Sequence, residues 1–383
     1  MELKERYAEI FEELKDLNKY LFENPELGLK EFKARDKHCE LLQKYGFFIE
    51  KGYCGIETAF LANYIGEKPG PRIAYLAEYD ALPEIGHGCG HNILGVTSSA
   101  AGILLREFVN IYGGEVLVIG TPAEETDGAK VAMVKAGAFK NVDLVMMVHP
   151  TSGNIHLRST SSQAMEALKF IFKGKTSHAA GSPHLGVNAL DGVITLFNTI
   201  NALRQQILPS DRVHGIITNG GEAANIIPDL AIANFYVRSR NKKELDILLE
   251  KVKNCAKGAA ISSGTKLEIE NYETSFLDLI TNKTLMSIYE ESLKDIGIKK
   301  IEDSEDSGST DAGDVSHVCP TIHPYMPLYK DVISHSRELA MCTIEDGAYK
   351  GMEEAVLALT LTGIKLLKDE KLIDRIKLEF DEK

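Results

Sequence analysis

A chain of 383 residues that is 44% apolar and 26% charged is long enough to build two globular domains around sizeable cores. Its formal net charge of −13 argues against nucleic acid or an anionic membrane surface as a partner, because both recruit clustered lysine and arginine. Charges or glycines interrupt every apolar run before it could span a bilayer, and the charged N-terminus lacks a signal peptide's apolar core. A cytoplasmic location with six reduced cysteines is therefore expected.

Leu3, Tyr7, Phe11, Leu14, Leu17 and Leu21 recur at helical spacing and predict an opening helix that stops near Asn24-Pro25. A second helix is predicted over about 31–45, and strands over about 58–65 and 72–77. The second strand runs into AEYDALPEIGHGCGHN (77–92), where Glu78, Asp80, His87, Cys89 and His91 lie in a glycine-punctuated loop. A helix follows from Asn92. EVLVIG (115–120) reads as a buried strand ending in TPAEETDGA, and DLVMMVHP (143–150) as another ending in His149. Three strands that end in chemically loaded loops predict an α/β fold, a mostly parallel mixed sheet with helices on both faces and its ligands at the strand ends.

After Pro150 the order becomes strand (ALKFIFKG), helix (187–207), strand (VHGIITN), strand (AIANFYVRSR), helix (242–260), strand (KLEIENYE). That order is the ferredoxin-like split β-α-β unit, compact enough to be an inserted α+β domain. It divides the chain into a catalytic domain over 1–162 and 274–383 and an insert over 163–273. Loaded loops resume at GSTDAGDVSH (308–317) and around His335, and a closing helix over 344–368 leads into a charged tail.

The chemistry lies in the loops. Cys89 and His91 offer sulfur and imidazole to a metal, whereas Cys39, Cys54, Cys255, Cys319 and Cys342 have no paired spacing and read as packing residues. Glu124 and Glu125 place adjacent carboxylates after a buried strand, where a cation must offset their repulsion. One glutamate can bind metal while the other takes a proton from water. Cys89, His91, Glu125, His149 and His335 are too many ligands for one open tetrahedral site and suit two ions that share ligands. Asp80 reads as a carboxylate that orients a ligand histidine, and Asp311 and Asp314 as helix caps.

NPELGLKE, EYDALP, GHGCGHN, TPAEE, VHP, TSHAAGSPHLGVNAL, NGGEAANIIPD, STDAGDVS and SHSREL occur in this order over nearly the whole chain. In this it resembles the co-catalytic metallopeptidases that include aminoacylase, aminobenzoyl-glutamate hydrolase and the indole-acetyl-amino-acid hydrolases, and most of all the aminoacylase-1-like protein 2 dipeptidase group. The resemblance implies metal ligands at Cys89, His91, Glu125, His149 and His335 and a general base at Glu124. It also implies that the inserted domain is a lid that dimerises, with His178 or Asn225 reaching the partner's active site. His178 is the expected oxyanion donor, ahead of His184 and His214. Arg238, with Arg240 as runner-up, is expected to grip a substrate carboxylate. The chain departs from many members by carrying Glu78 where they have a histidine ligand and Cys89 where they have a bridging aspartate. With a thiolate in the set, zinc, manganese and cobalt all remain open as the metal.

The resulting expectation is a homodimeric amidohydrolase with two divalent ions per chain, acting on a dipeptide or N-acyl amino acid with a free carboxylate. An aminobenzoyl-glutamate-type hydrolase is the nearest alternative. A non-catalytic metal-binding descendant and a cysteine hydrolase using Cys89 and His91 belong to other classes. Against the first stands the intact Glu124, and against the second the lack of a third orienting group.

Overall fold

The computed structural model describes residues 2–304 and 308–382. In chain order the elements are α1 (Glu2–Glu23), α2 (Phe32–Lys44), β1 (Phe48–Lys51), β2 (Phe60–Ile65), β3 (Arg72–Ala77), α3 (His91–Tyr112), β4 (Glu115–Gly120), α4 (Ala129–Lys135), β5 (Leu144–Met146), β6 (His149–Thr151) and β7 (His156–Arg158). There follow β8 (Ala164–Lys173), α5 (Ala189–Leu203), β9 (Arg212–Asn219), β10 (Leu230–Ser239), α6 (Lys242–Ser263) and β11 (Lys266–Asn271). The chain ends with α7 (Lys283–Asp295), β12 (Ile301–Asp303), α8 (Ala312–Ser316), β13 (Thr321–Ile322), β14 (Tyr325–Pro327), α9 (Arg337–Cys342), α10 (Asp346–Lys368) and α11 (Glu370–Asp381). Among the described residues, one compact unit gathers 2–161, 279–304 and 311–382, and a second gathers 162–278 and 308–310.

The first unit is built on a six-stranded sheet of order β1-β2-β4-β3-β5-β13, parallel from β4 to β13 and antiparallel at β1 and β2. Strand periodicity sends Ile73, Tyr75, Val116 and Val118 to one face, where they pack with α1, α3, α7 and α10. Ala74, Leu76, Leu117 and Ile119 go to the other, against Met133 of α4 and Ala312 and Val315 of α8. Burial on both faces is what the unbroken apolar runs of β3 and β4 indicate. Each fully buried large apolar side chain contributes roughly 1.5–3 kcal/mol.

The second unit has the β-α-β-β-α-β order, with its antiparallel sheet arranged β11-β8-β10-β9. Phe170, Phe172, Phe235 and Val237 face α5 and α6. Tyr236 and Arg238 alternate with these on β10 and lie on the opposite face.

Two expectations need correction. DLVMMVHP is not one strand. β5 pairs with β3 only as far as Tyr75↔Met146, and the extended chain then leaves the main sheet, so that His149 begins β6 in a separate four-stranded sheet, β12-β7-β14-β6. The charged C-terminal stretch is not a tail either: α11 buries Ile373 and Ile376, and Asp369 caps its first turn. Among the described residues no helix is long and apolar enough to cross a membrane.

Candidate metal centre

The site collects where β3, β4 and β5 of the first unit end. Gly90 holds φ +84, and a Cβ there would lie 2.5 Å from Pro150 Cγ, so the turn between Cys89 and His91 needs a glycine. His91 is the first residue of α3 and is fully buried. Its Nδ1 lies 2.9 Å from Asp80 Oδ1. An ionised carboxylate only accepts, so Nδ1 carries a proton and Nε2 is the nitrogen turned toward the site. His149 is arranged alike, with Nδ1 donating to the carbonyl of Pro150 at 2.7 Å and Nε2 lying 3.5 Å from Cys89 Sγ. That separation suits two ligands on one ion with bonds of about 2.0–2.3 Å.

His335, at φ +58, is anchored by its N–H to the carbonyl of Gly88 at 3.0 Å, and its Nε2 lies 3.2 Å from Glu125 Oε1. Two groups of potential ligands therefore share one sulfur: Cys89, His91 and His149, and Cys89, Glu125 and His335. A third group joins His91, Glu124 and Glu125. Within each, the ligating atoms lie within 4.8 Å of one another. All five proposed ligands and Glu124 thus come together within the first unit.

The donor set fits a metal for a further reason. Glu78 Oε2 and His91 Nε2 are buried and have no hydrogen bond among the described residues, and they face each other at 3.3 Å. A buried carboxylate oxygen and a buried imidazole nitrogen that face one another need a positive charge between them, which a proton on His91 supplies in the metal-free protein and a metal ion can replace. Sulfur, imidazole and carboxylate together suit a divalent transition metal.

The electrostatics follow from burial and from one lysine. Burial, then Glu78, Asp311 and Glu125, raise the Glu124 carboxyl well above its ordinary range. For Glu125, burial is outweighed by His335, His91 and Cys89, which leave it below that range. Asp80 is held at about 2, the pull of His91 overcoming burial, and burial lowers His149 to about 4. Burial also pushes the Cys89 thiol up, the opposite of an activated cysteine nucleophile.

Sequence reasoning missed Lys130. It is fully buried at the start of α4, and its Nζ lies 2.6 Å from Glu78 Oε1 and 2.7 Å from Asp311 Oδ1. Its backbone N–H donates to Asp311 Oδ2 at 3.0 Å. The expectation that Asp311 caps a helix is therefore corrected: it precedes α8 but makes no side-chain cap, because both its oxygens are taken by Lys130. Burial raises it to about 6 against the pull of that lysine. Asp314 lies in the first turn of α8.

The remaining candidates belong to the second unit. His178 and Asn225 are exposed neighbours, linked by the N–H of Ala179 donating to the carbonyl of Asn225 at 3.0 Å. His178 Nδ1 accepts the N–H groups of Ala180 and Gly181, which places its proton on Nε2, free to donate. Arg238 is half-buried beside Ser309 Oγ at 3.2 Å, and its Nε is buried with no partner among the described residues. Arg240, expected on the same side, lies beyond the end of β10 and is paired with Glu244. His214 stacks on Tyr236, and His184 is an exposed residue of a short 3-10 turn.

Residues 162–263 match the peptidase dimerisation domain of the M20 family. The chain is 36% identical to the mouse (Mus musculus) Xaa-Arg dipeptidase, over 98% of this chain and 90% of the relative. It is 32% identical to a p-aminobenzoyl-glutamate hydrolase polypeptide of Escherichia coli, over 74% and 62%. In fold it matches a dinuclear metal binding peptidase of the M20 family from Bacillus subtilis with a TM-score of 0.73, at 19% identity over 94% of this chain and 99% of the other.

Proposed function

The chain belongs to the M20 family of metallopeptidases and is a metal-dependent amidohydrolase, and from that premise we propose how its residues divide the work. Cys89, His91 and His149 would hold one divalent ion, and Cys89, Glu125 and His335 a second, with Cys89 shared. Bound there, such ions supply Lewis acidity for an amide carbonyl and make water a nucleophile at neutral pH. Glu124, half-buried and outside the two groups that share Cys89, takes the water's proton and passes it to the leaving amine. Asp80 fixes the His91 tautomer and, through Oδ2, accepts the N–H of Glu125 at 3.0 Å, so one carboxylate orients ligands of both ions. Zinc, manganese and cobalt are the metals to compare.

The substrate in this reading is a dipeptide or N-acyl amino acid whose free carboxylate pairs with Arg238. The Xaa-Arg dipeptidases among its relatives make dipeptides ending in arginine the first to test, beside p-aminobenzoyl-glutamate. The unit of activity is a homodimer in which His178, with Asn225, serves the partner's centre as oxyanion donor.

The observation that carries the reading is the pair of ligand groups sharing Cys89, with Glu124 beside them. Stripping with a strong chelator should abolish hydrolysis, and zinc, manganese or cobalt should restore it. Glu124→Gln should lower kcat by at least ~10²-fold at unchanged metal content. Full turnover by verified metal-free protein would reject the metal mechanism, and near-full turnover by Glu124→Gln would reject the base.

A further inference from the structure

The segment NPELGLKE (24–31) supplies neither a ligand nor the base, yet it touches both loops that do. The carbonyl of Glu26 accepts the N–H of Ala81, next to Asp80, at 2.8 Å. Glu31 is fully buried, and its Oε1 accepts the N–H of Ala123 at 2.8 Å. Ala123 immediately precedes Glu124 and Glu125 and holds φ +58, in the left-handed region that residues with a Cβ seldom adopt. Its carbonyl is held too, by the N–H of Gly128 at 2.7 Å. The approach of the two segments leaves no room at residue 28: a Cβ on Gly28 would come 2.1 Å from Thr126 Oγ1 and 3.0 Å from the Cβ of Ala123.

We propose that Glu31 is a positioning residue, its carboxylate clamping Ala123 in the left-handed conformation so that Glu124 and Glu125 leave the loop in the directions the metal centre requires. An alanine released from such a clamp relaxes toward the right-handed or extended region, which rotates the peptide plane ahead of Glu124. Misplacement of a reacting group by about 1 Å is enough to slow a reaction by ~10²-fold. Asp80 does for the N–H of Glu125 what Glu31 does for that of Ala123. The pair of glutamates is thus suspended from two buried carboxylates, one supplied by NPELGLKE and the other by EYDALP.

The inference rests on the roles proposed above for Glu124 and Glu125, and two kinds of measurement separate its failure from theirs. Glu31→Gln keeps an acceptor oxygen and should stay within about threefold of the parent. Glu31→Ala removes the acceptor and should lower kcat by about tenfold or more with KM nearly unchanged, the signature of a lost transition-state contribution. Titration of stripped Glu31→Ala with Zn²⁺ or Mn²⁺ should also show weakened binding, because Glu125 loses its aim. A merely structural carboxylate would lower the Tm and leave kcat and metal affinity of the folded protein alone.

Gly28→Ala pushes the same loop without removing the buried carboxylate. It should reproduce the kcat loss, and it decides the matter if Glu31→Ala does not fold. Parental kcat and metal affinity in folded Glu31→Ala would overturn the proposal, as would a silent Gly28→Ala should Glu31→Ala not fold. Full turnover by Glu124→Gln would overturn the base assignment alone, since the metal titration still judges Glu31 through Glu125.

Discussion

Burying an ammonium group is costly unless its charge is matched and its donors are used. Lys130 satisfies both conditions, with Glu78 and Asp311 on its Nζ, and it joins the end of β3 to the loop before α8. Lys130→Met should destabilise the metal-free protein by about 3–5 kcal/mol, the usual loss when one partner of a buried pair is removed. Adding Glu78→Gln and Asp311→Asn should recover much of that loss, because neither former partner of Lys130 is then left as an unmatched charge. Urea unfolding of the stripped proteins measures both effects. A loss under about 1 kcal/mol for Lys130→Met would mean that Glu78 and Asp311 do not depend on it. Lys130 and Glu31 were not legible as site residues because a lone charge in a sequence carries no sign of a partner dozens to hundreds of residues away. Cys89, His91, Glu124 and Glu125 were legible because each lies close to another reactive side chain in one short loop.

At the scale of elements, period and punctuation carried most of the reading. β3 and β4 were predictable to the residue from unbroken apolar runs. α11 was hidden because its apolar residues, Ile373 and Ile376 among them, are separated by charges that dominate its composition. β10 shows what alternation decides. Its odd residues build the core under α5 and α6, and Tyr236 and Arg238 project from the other face, Arg238 Cζ lying 5.4 Å from the Tyr236 ring. In the proposed reading the Nε of Arg238, without a partner among the described residues, is the guanidinium edge offered to a ligand carboxylate, whereas Arg240 is committed to Glu244. Arg238→Ala should therefore lower kcat/KM about tenfold or more on carboxylate substrates, since hydrogen bonds to charged groups contribute roughly 1.5–3 kcal/mol. Substrates amidated at the C-terminus should be poor already and should lose little more. Equal losses on both would show that Arg238 supports its strand and does not read the substrate.

At the scale of the whole molecule, the proposed homodimer gives the second copy of the chain a task. The region that matches the peptidase dimerisation domain has β9 at the edge of its sheet, with Ile216 and Ile217 largely exposed. An apolar edge strand left uncovered invites pairing with another chain, and a symmetric pair would join the same surface on both copies. In that unit His178 has its Nδ1 occupied by backbone N–H groups and its Nε2 free to donate, as an oxyanion donor requires. If each centre depends on the partner's His178, a His178→Ala protomer keeps an intact metal centre with no donor for its partner, and a Glu124→Gln protomer keeps the donor with no base. Each homodimer should be nearly inactive. Protomers mixed under exchanging conditions should regain activity, up to about a quarter of the parental value for random pairing, because half the dimers are then mixed and each has one complete centre. Size-exclusion chromatography with light scattering reports whether dimers form, and a tagged protomer reports whether they exchange. Exchange without recovery of activity would confine His178 to its own chain, and a monomer with full activity would remove the need for a partner altogether.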